Sequence, residues 1–519
     1  MSNLIITSNI PNVFPVSQMV KGRTPFKKEN GLPVGEGKIQ TLMGNHCIGY
    51  AVSQAMKANC GGGCVTSAYP ITPATEILHY LRALEADGKI PSLGFNASSE
   101  HEAMTAAIAA SFGGARSFIA TSSVGFMHMM EMVESAGQNR IPVVMALSNR
   151  ANAPLNIWNA DDDRIRARDF AIQLVAENHQ QAYDLTLQAF RIAETAYWLT
   201  IINQAGFFIS HSVDKVRTLP DDRVLPFVGQ FTPAIDPFKE SISKGGLTSP
   251  RAFALQRAQN FEAWGKVKDI VKNVHDEYGK ISGRAPGAFF NTYYLEDAKY
   301  VFFNYGFLSG TLRTFIDILR RDGVPVGLIS GTLFRPFPDR ELAGAIFTQA
   351  PKAKIIGVFD GSLDPTPGVN YTDLSSALYT YGRNFHGPLL INFKYGGGQN
   401  PSLSVLNGAL QRMMDAAKRN TVEYPIQQLD RNSEGANISL DLSKSAGKEV
   451  VEGQSLIEFL GRGGLGAVSA AGNLVYITNE KGELIARGIP QFGSEKTGSP
   501  TFATAVMDKQ PITSFYNEG

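Results

Sequence analysis

The sequence predicts an α/β protein built from doubly wound parallel sheets, on three observations. Short apolar runs alternate with helical stretches from residue 41 to about 225 and again from 298 onward, the grammar of strand–helix–strand units covered on both faces. Several runs stop in Pro-, Ser- or Gly-containing turns that open helices, and strand ends are where such folds place their chemistry. At 519 residues the chain has room for about three domains.

Residues 1–40 contain Pro, Asn and Lys with little periodicity and read as an arm that packs on a neighbour or stays mobile. A helix is expected at about His46–Lys57, followed by a strand, Cys64–Tyr69, stopped by Pro70 and Pro73. Helix resumes through Glu76–Glu85, so the kinked Pro-Ile-Thr-Pro turn presents Thr72 at a crevice. Ser99 with Glu102 three residues on, before an Ala-rich run, is the signature of a helix start, with Glu100 in its first turn. Ser117–Thr121 is the next strand, and Ser122–Gly125 turns into a Met-rich helix, Phe126–Glu134. Strands at Pro142–Leu147 and Gly206–Ile209 complete this unit, and a charged amphipathic segment, Ser249–Gly279, leads onward.

A second α/β unit begins with a strand at Ala298–Asn304 and a helix reaching Arg321. Strands follow at Val326–Ile329, Ile355–Phe359 and Leu389–Phe393, then a polar linker over 425–453 and a partial third unit, 454–519. In that tail a strand, Leu456–Leu460, runs into Gly461-Arg-Gly-Gly-Leu-Gly466 and a helix from Ala467, the context of a dinucleotide site. The next strand, Leu484–Ile489, ends without the acid that would hold a ribose hydroxyl. A tight strand-to-helix turn is therefore the better reading than a nicotinamide site.

A net charge of +1 makes no electrostatic case for nucleic acid or an anionic membrane. No apolar run reaches the length of a membrane span and no secretory leader is evident, so a soluble cytoplasmic protein is expected. Cys47, Cys60 and Cys64 lack the short four-thiolate spacing of a ferredoxin-type cluster. Cys47 and Cys60 are expected as packed helix residues, and any iron–sulfur clusters belong to another chain.

Taken singly, the polar residues have plain explanations. Glu100 is an acid in a helix first turn, favoured by the dipole; Thr72 is a turn residue; Arg150 is a surface arginine after a strand. Glu100-His-Glu102 lacks the second histidine of a zinc-binding HExxH helix, and Asp161-Asp-Asp163 cannot turn three consecutive carboxylates onto one ion. Ser210-His211 lacks a nucleophile elbow and reads as structural, and Arg335-Pro-Phe-Pro338 starts a helix.

Together, Ala68-Tyr-Pro-Ile-Thr-Pro-Ala-Thr-Glu76, Ser98-Ser-Glu-His-Glu102 and Arg116-Ser-Phe-Ile-Ala-Thr-Ser-Ser-Val-Gly125 resemble the α subunits of the 2-oxoacid:ferredoxin oxidoreductase family, the pyruvate enzymes in particular. The resemblance continues in Asn149–Asn159, Glu177–Asp184, Ser210-His211, Glu296-Asp-Ala298, Arg335–Pro338 and Gly396-Gly-Gly398, covering roughly residues 41–402. The acidic triplet at 161–163 departs from the family's mixed segment.

The resemblance implies two thiamine-enzyme-type domains. Boundaries are expected at 1–40 for the arm, 41–248 for a pyrimidine-binding-type domain, 249–295 for a helical linker, and 296–424 for a transketolase C-terminal-like domain that mainly builds an interface. The linker 425–453 and a tail like the beginning of the family's γ domain, 454–519, complete the chain.

It further implies oxidative decarboxylation of pyruvate to acetyl-CoA, or the reverse carbon-fixing reaction, on thiamine diphosphate shared with a β subunit. Mg²⁺ and [4Fe–4S] clusters would lie on partner chains, with coenzyme A as co-substrate. Partners would be the β subunit, a ferredoxin-like δ subunit, the rest of the γ domain, and ferredoxin. Glu100 stands where the family's catalytic glutamate faces N1′ of the aminopyrimidine, with Pro70 beside the cofactor; Thr72 and Arg150 stand where substrate-binding residues do. Preference for pyruvate rests on Thr121–Gly125 and Asn149–Trp158. A 2-oxoglutarate or other 2-oxoacid enzyme and a non-catalytic scaffold are the competing readings; retention of Thr72, Glu100 and Arg150 together argues against the scaffold.

Overall fold

The structure is a computed structural model that describes residues 34–429 and 454–512, apart from 169, 241, 243, 285, 383–386, 398–400, 463–464, 483, 492–499 and 510–511. Residues 1–33 of the expected arm, nearly all of the 425–453 linker, and the middle of the tail's glycine-rich turn lie outside the described residues.

Apolar runs too short for helices become the strands of the first sheet: β2 (Cys64–Ala68), β3 (Leu93–Asn96), β4 (Arg116–Thr121), β5 (Val143–Asn149), β6 (Ile172–Val175) and β7 (Thr200–Ala205). They pair in parallel in the order β6-β7-β5-β4-β2-β3. β4 to β7 are buried along their whole length, as expected of strands covered on both faces. The strand expected at Gly206–Ile209 is displaced: β7 ends at Ala205, and the Ile209 and Ser210 amides fold back onto the Ala205 carbonyl. Phe207 there takes a positive φ of 60°, which no strand residue adopts.

The second sheet contains β9 (Phe290–Tyr293), β10 (Tyr300–Tyr305), β11 (Val326–Gly331), β13 (Ile355–Asp360), β14 (Leu389–Lys394) and β15 (Ile426–Gln428), in the order β15-β14-β13-β10-β11-β9. All pairs are parallel except the edge strand β9. Between β11 and β13 the chain sends β12 (Leu333–Arg335) back to the first sheet, where it pairs antiparallel with β6. A strand from the second unit thus completes the first sheet.

The two units also meet through polar and aromatic contacts. Glu177 receives both terminal nitrogens of Arg313 at 2.8 Å and the Ser330 hydroxyl at 2.7 Å, and Phe208 stacks on Phe307 with ring centroids 4.4 Å apart. The segment expected as a linker is two helices, Pro250–Trp264 and Val267–Ser282, and the second is anchored on the helix His179–Ala196. Tyr278 donates to Asp184 at 2.5 Å, and the Arg284 guanidinium closes on the same carboxylate.

The third sheet is antiparallel, in the order β1-β8-β17-β18-β16, where β1 is Lys38–Met43, β8 Val213–Thr218, β16 Ser455–Arg462, β17 Ile485–Gln491 and β18 Pro500–Asp508. The end of the expected arm is therefore a strand. The tail joins the first unit through one residue pair, Gly488 with Val213, and an ion pair between Arg487 and Asp214. Val213, Val475, Ala486 and Ala505 form the small core beneath. Antiparallel pairing is not the arrangement of a parallel dinucleotide fold.

Among the described residues, no helix is long and apolar enough to cross a membrane. Cys47 is buried in the helix Gly44–Ala58, but Cys60 is exposed beyond that helix, because Asn59 ends it and Gly61 turns the chain at a φ of 92°.

Candidate functional site

The C-terminal ends of β2, β4 and β5 converge with the start of the helix Glu100–Phe112. Ser99 caps that helix, its hydroxyl accepting from the Glu102 amide at 3.2 Å. Glu102 reaches back one residue further than the usual reciprocal box, to the Ser98 amide at 2.7 Å and its hydroxyl at 2.5 Å. Glu102 thereby satisfies the helix start and releases Glu100, 8% exposed, to point elsewhere.

Glu100 points at the turn after β4. Its Oε2 lies 3.1 Å from His128 Nδ1, and a Cβ added to Gly125 would stand 2.6 Å from its Oε1 and 2.9 Å from Ile71 Cδ1. Gly125 is required because the carboxylate and the Pro-Ile-Thr-Pro turn close over it. The helix expected from Phe126 starts at Ser123, whose φ is 49°, and breaks at Met129 into Ser123–His128 and Met130–Gln138.

Arg150, expected at the surface by default, is 5% exposed. One terminal nitrogen donates to the carbonyl of Thr72, so it is the turn's backbone that Arg150 holds. Burial pushes its pKa down while Asp163 and Glu100 hold it up. Pro73 and Ala74 are buried behind the turn, Thr72 is half-buried, and Pro70 is exposed at its front. Asn45 fastens the turn from behind, donating to the Pro73 carbonyl at 2.8 Å and to Glu76 at 3.0 Å.

The acidic triplet divides three ways, as consecutive side chains must. Asp161 pairs with Arg164 at 2.6 Å and accepts from the Gly361 amide at 3.1 Å, and Asp162 accepts from the Asn152 amide at 3.2 Å. Asp163 turns inward and is fully buried. Its Oδ2 accepts from the Ser123 amide at 2.8 Å and the Arg150 amide at 3.1 Å, joining the ends of β4 and β5. Burial lifts its pKa to about 8, against the two amide donors that hold it down. Asp163 and His128 are the residues that sequence reasoning missed. His128 had a signal, since it follows Gly125 within one helical turn; Asp163 had only its place in a triplet.

Ser210-His211, expected from the sequence to be structural, is a hydrogen-bonded side-chain pair. His211 lies 3.2 Å from Glu76 and 2.9 Å from the Ser210 hydroxyl, but Ser210 is fully buried and its oxygen also accepts from the Phe207 amide at 2.8 Å. Arg335 is buried and bound to Asp373 at 2.6 Å, away from the site, and Pro338 precedes a helix, Asp339–Gln349. No group of three or more metal-ligating side chains forms among the described residues.

Among the described residues, four buried polar atoms at these strand ends have no hydrogen-bond partner: Ser67 Oγ, Thr121 Oγ1, Asn149 Oδ1 and Arg150 Nε. Each of these atoms is left to be satisfied by a bound polar group or by water.

A family model described as pyruvate flavodoxin/ferredoxin oxidoreductase, thiamine diphosphate-binding, matches residues 55–280. A second, pyruvate:ferredoxin oxidoreductase core domain II, matches residues 298–403. Ketoisovalerate oxidoreductase subunit VorA of Pyrococcus horikoshii is 35% identical over 348 residues, 66% of this chain and 86% of its own length. Pyruvate synthase subunit PorA of Pyrococcus furiosus is 35% identical over 372 residues, 70% of this chain and 91% of its own.

The chain belongs to the 2-oxoacid:ferredoxin oxidoreductase family.

Its relatives are named as subunits, so the chain is one component of a multi-subunit oxidoreductase. A solved 2-oxoglutarate:ferredoxin oxidoreductase from Magnetococcus marinus superposes with a TM-score of 0.56 at 17% identity, covering 73% of this chain and 66% of that one. It shares the fold.

Proposed function

We propose that this chain is the α subunit of a pyruvate:ferredoxin oxidoreductase and that Glu100, Thr72 and Arg150 are its catalytic and substrate-binding residues. The observation that carries the reading is their meeting at one set of strand ends, with Arg150 bonded to the Thr72 carbonyl and Glu100 against Gly125 beside it. The thiamine diphosphate of the family fits this chain's residues: a carboxylate in a mainly buried niche cleared by Gly125, and unpartnered Thr121, Asn149 and Arg150 atoms nearby. When bound, the cofactor supplies the carbon nucleophile and the electron sink for decarboxylation.

Glu100 would hold a proton against N1′ of the aminopyrimidine. His128, with 59% of its side chain exposed, connects the far oxygen of that carboxylate to solvent. Arg150 is anchored through one nitrogen, and its remaining donors can grip the substrate carboxylate in a planar fork. Pro70 stands at the exposed front of the turn, where a cofactor shared with a β subunit would rest. The diphosphate, Mg²⁺ and [4Fe–4S] clusters would be held by the β and ferredoxin-like δ subunits, with coenzyme A and ferredoxin as reactants. The rest of a γ domain would meet the tail at the edge of β16, which among the described residues pairs only with β18.

The preference for pyruvate rests on Thr121–Gly125 and on Asn149–Trp158, the second of which packs through Trp158 against Phe207 and Phe208 at ring distances of 5.0 and 5.3 Å. The deciding experiment is Glu100→Gln in the reconstituted complex. Cofactor should still bind while exchange of its C2 proton and turnover collapse on pyruvate; a loss of only a few-fold would leave Glu100 as a helix first-turn acid. Comparison of turnover on pyruvate and ketoisovalerate tests the substrate separately.

A further inference from the structure

The opposite end of the first sheet, where β5 begins, carries a second candidate site. A cavity of about 450 Å³ opens there between the connection Gln138–Pro142, residues 233–235 with Lys244, and the helix Pro250–Trp264. β5 itself separates it from Arg150 by about 20 Å, at roughly 3.3 Å per residue. Its size is within the range of small-molecule sites.

Phe112, Ile141 and Pro233 give the cavity an apolar wall, and Arg140 and Lys244 bring two cations to it. Helix and connection are fastened together beside them, since Asn260 and Gln256 donate to the Gln138 carbonyl at 2.7 and 3.1 Å. Arg140 donates one terminal nitrogen to the Ala196 carbonyl at 2.9 Å and lies over the Trp198 ring, but its Nε is buried without a partner. Lys244 donates to the Asn139 carbonyl at 3.2 Å.

No Asp or Glu is among the described residues that line the cavity. Burial opposes the charge on both, and Arg140 further opposes the charge on Lys244. Two partly desolvated cations that line one cavity with no carboxylate in its lining are unfavourable in the empty protein, and an anion between them reverses the sign of the interaction. The adjacent apolar wall adds surface for a carbon skeleton.

We infer that this cavity binds a small organic anion, its carboxylate or phosphate oxygens bridging Arg140 and Lys244 and its apolar part lying against Phe112, Ile141 and Pro233. The site is separate from the proposed reaction centre and does not depend on the assignment of Glu100.

Thermal unfolding of the full chain, titrated with inorganic phosphate and with succinate against potassium chloride at matched ionic strength, tests this. At least one of the two anions should raise the midpoint saturably by about 2–5 °C, the effect of a ligand that binds only the folded state. Phosphate alone, succinate alone or both would each support the site and identify its chemistry. Arg140→Met and Lys244→Met should lose the response, with Lys244→Met no less stable in chloride because it removes one of two cations from the same cavity. Gln259→Glu, on an exposed part of the same helix that lines the cavity, should abolish the response by supplying the missing negative charge. A parallel shift in wild type and Gln259→Glu, or no shift with either anion, would overturn the inference.

Discussion

Arg150 and Thr72 are joined through a backbone carbonyl, which changes what their substitutions should do. Arg150→Lys removes the fork and the hold on the turn together, so pyruvate use should fall by about 1–3 kcal/mol in kcat/KM, the range for a charge-assisted hydrogen bond. Thr72→Val keeps the carbonyl and deletes only the hydroxyl, so its loss should be smaller. Combined, the two should be non-additive in steady-state kinetics of the assembled complex; strict additivity would put the hydroxyl outside the pocket.

Asp163 makes a different kind of prediction. Its folded pKa of about 8 lies above the ordinary carboxylate value of about 3.9, so between these limits the folded chain holds more protons than the unfolded one. Its contribution to stability is fully present below about pH 4 and is lost as pH rises toward 8. Asp163→Asn keeps an acceptor for the Ser123 and Arg150 amides and cannot ionise, so denaturant unfolding across that window should show a flatter pH dependence than wild type. Asp163→Ala strands both amides, at about 1–3 kcal/mol each.

At the level of elements, caps and turns were the legible part. Ser99 and Glu102 announced the helix that carries Glu100, and Pro70 and Pro73 announced the turn that carries Thr72, because both signals lie within a few residues of their effect. The link from Asp163 to Ser123 spans 40 residues and follows no periodicity, so no local pattern could reveal it. The displaced strand at Gly206–Ile209 has a related cause: its apolar residues pack as a turn against Trp158 and Phe307, contacts that exist only once distant segments meet. Gly125 was legible as a turn glycine but not as the floor under a carboxylate. Gly125→Ala should therefore cost far more activity than stability, because the nearest atom is the movable tip of Glu100. Parallel loss of both in thermal unfolding and turnover would assign the glycine to folding alone.

Over the whole molecule, the two parallel sheets were readable from strand spacing, while their mutual dependence was not. β12 is only three residues long, and nothing in Leu333-Phe-Arg335 says that it leaves its own unit. A chain ending after residue 295 keeps the first unit's other strands yet lacks this edge and the Arg313 partner of Glu177. It should aggregate or unfold at a lower temperature than the full chain, as checked by light scattering and calorimetry; an equally stable fragment would show that the crossing strand is ornamental. The same strand sets an order of events during synthesis. The first sheet cannot acquire its last edge until Arg335 has cleared the ribosome, some 130 residues after β7 is available. The first unit must therefore wait, with β6 uncovered, for a piece of the second.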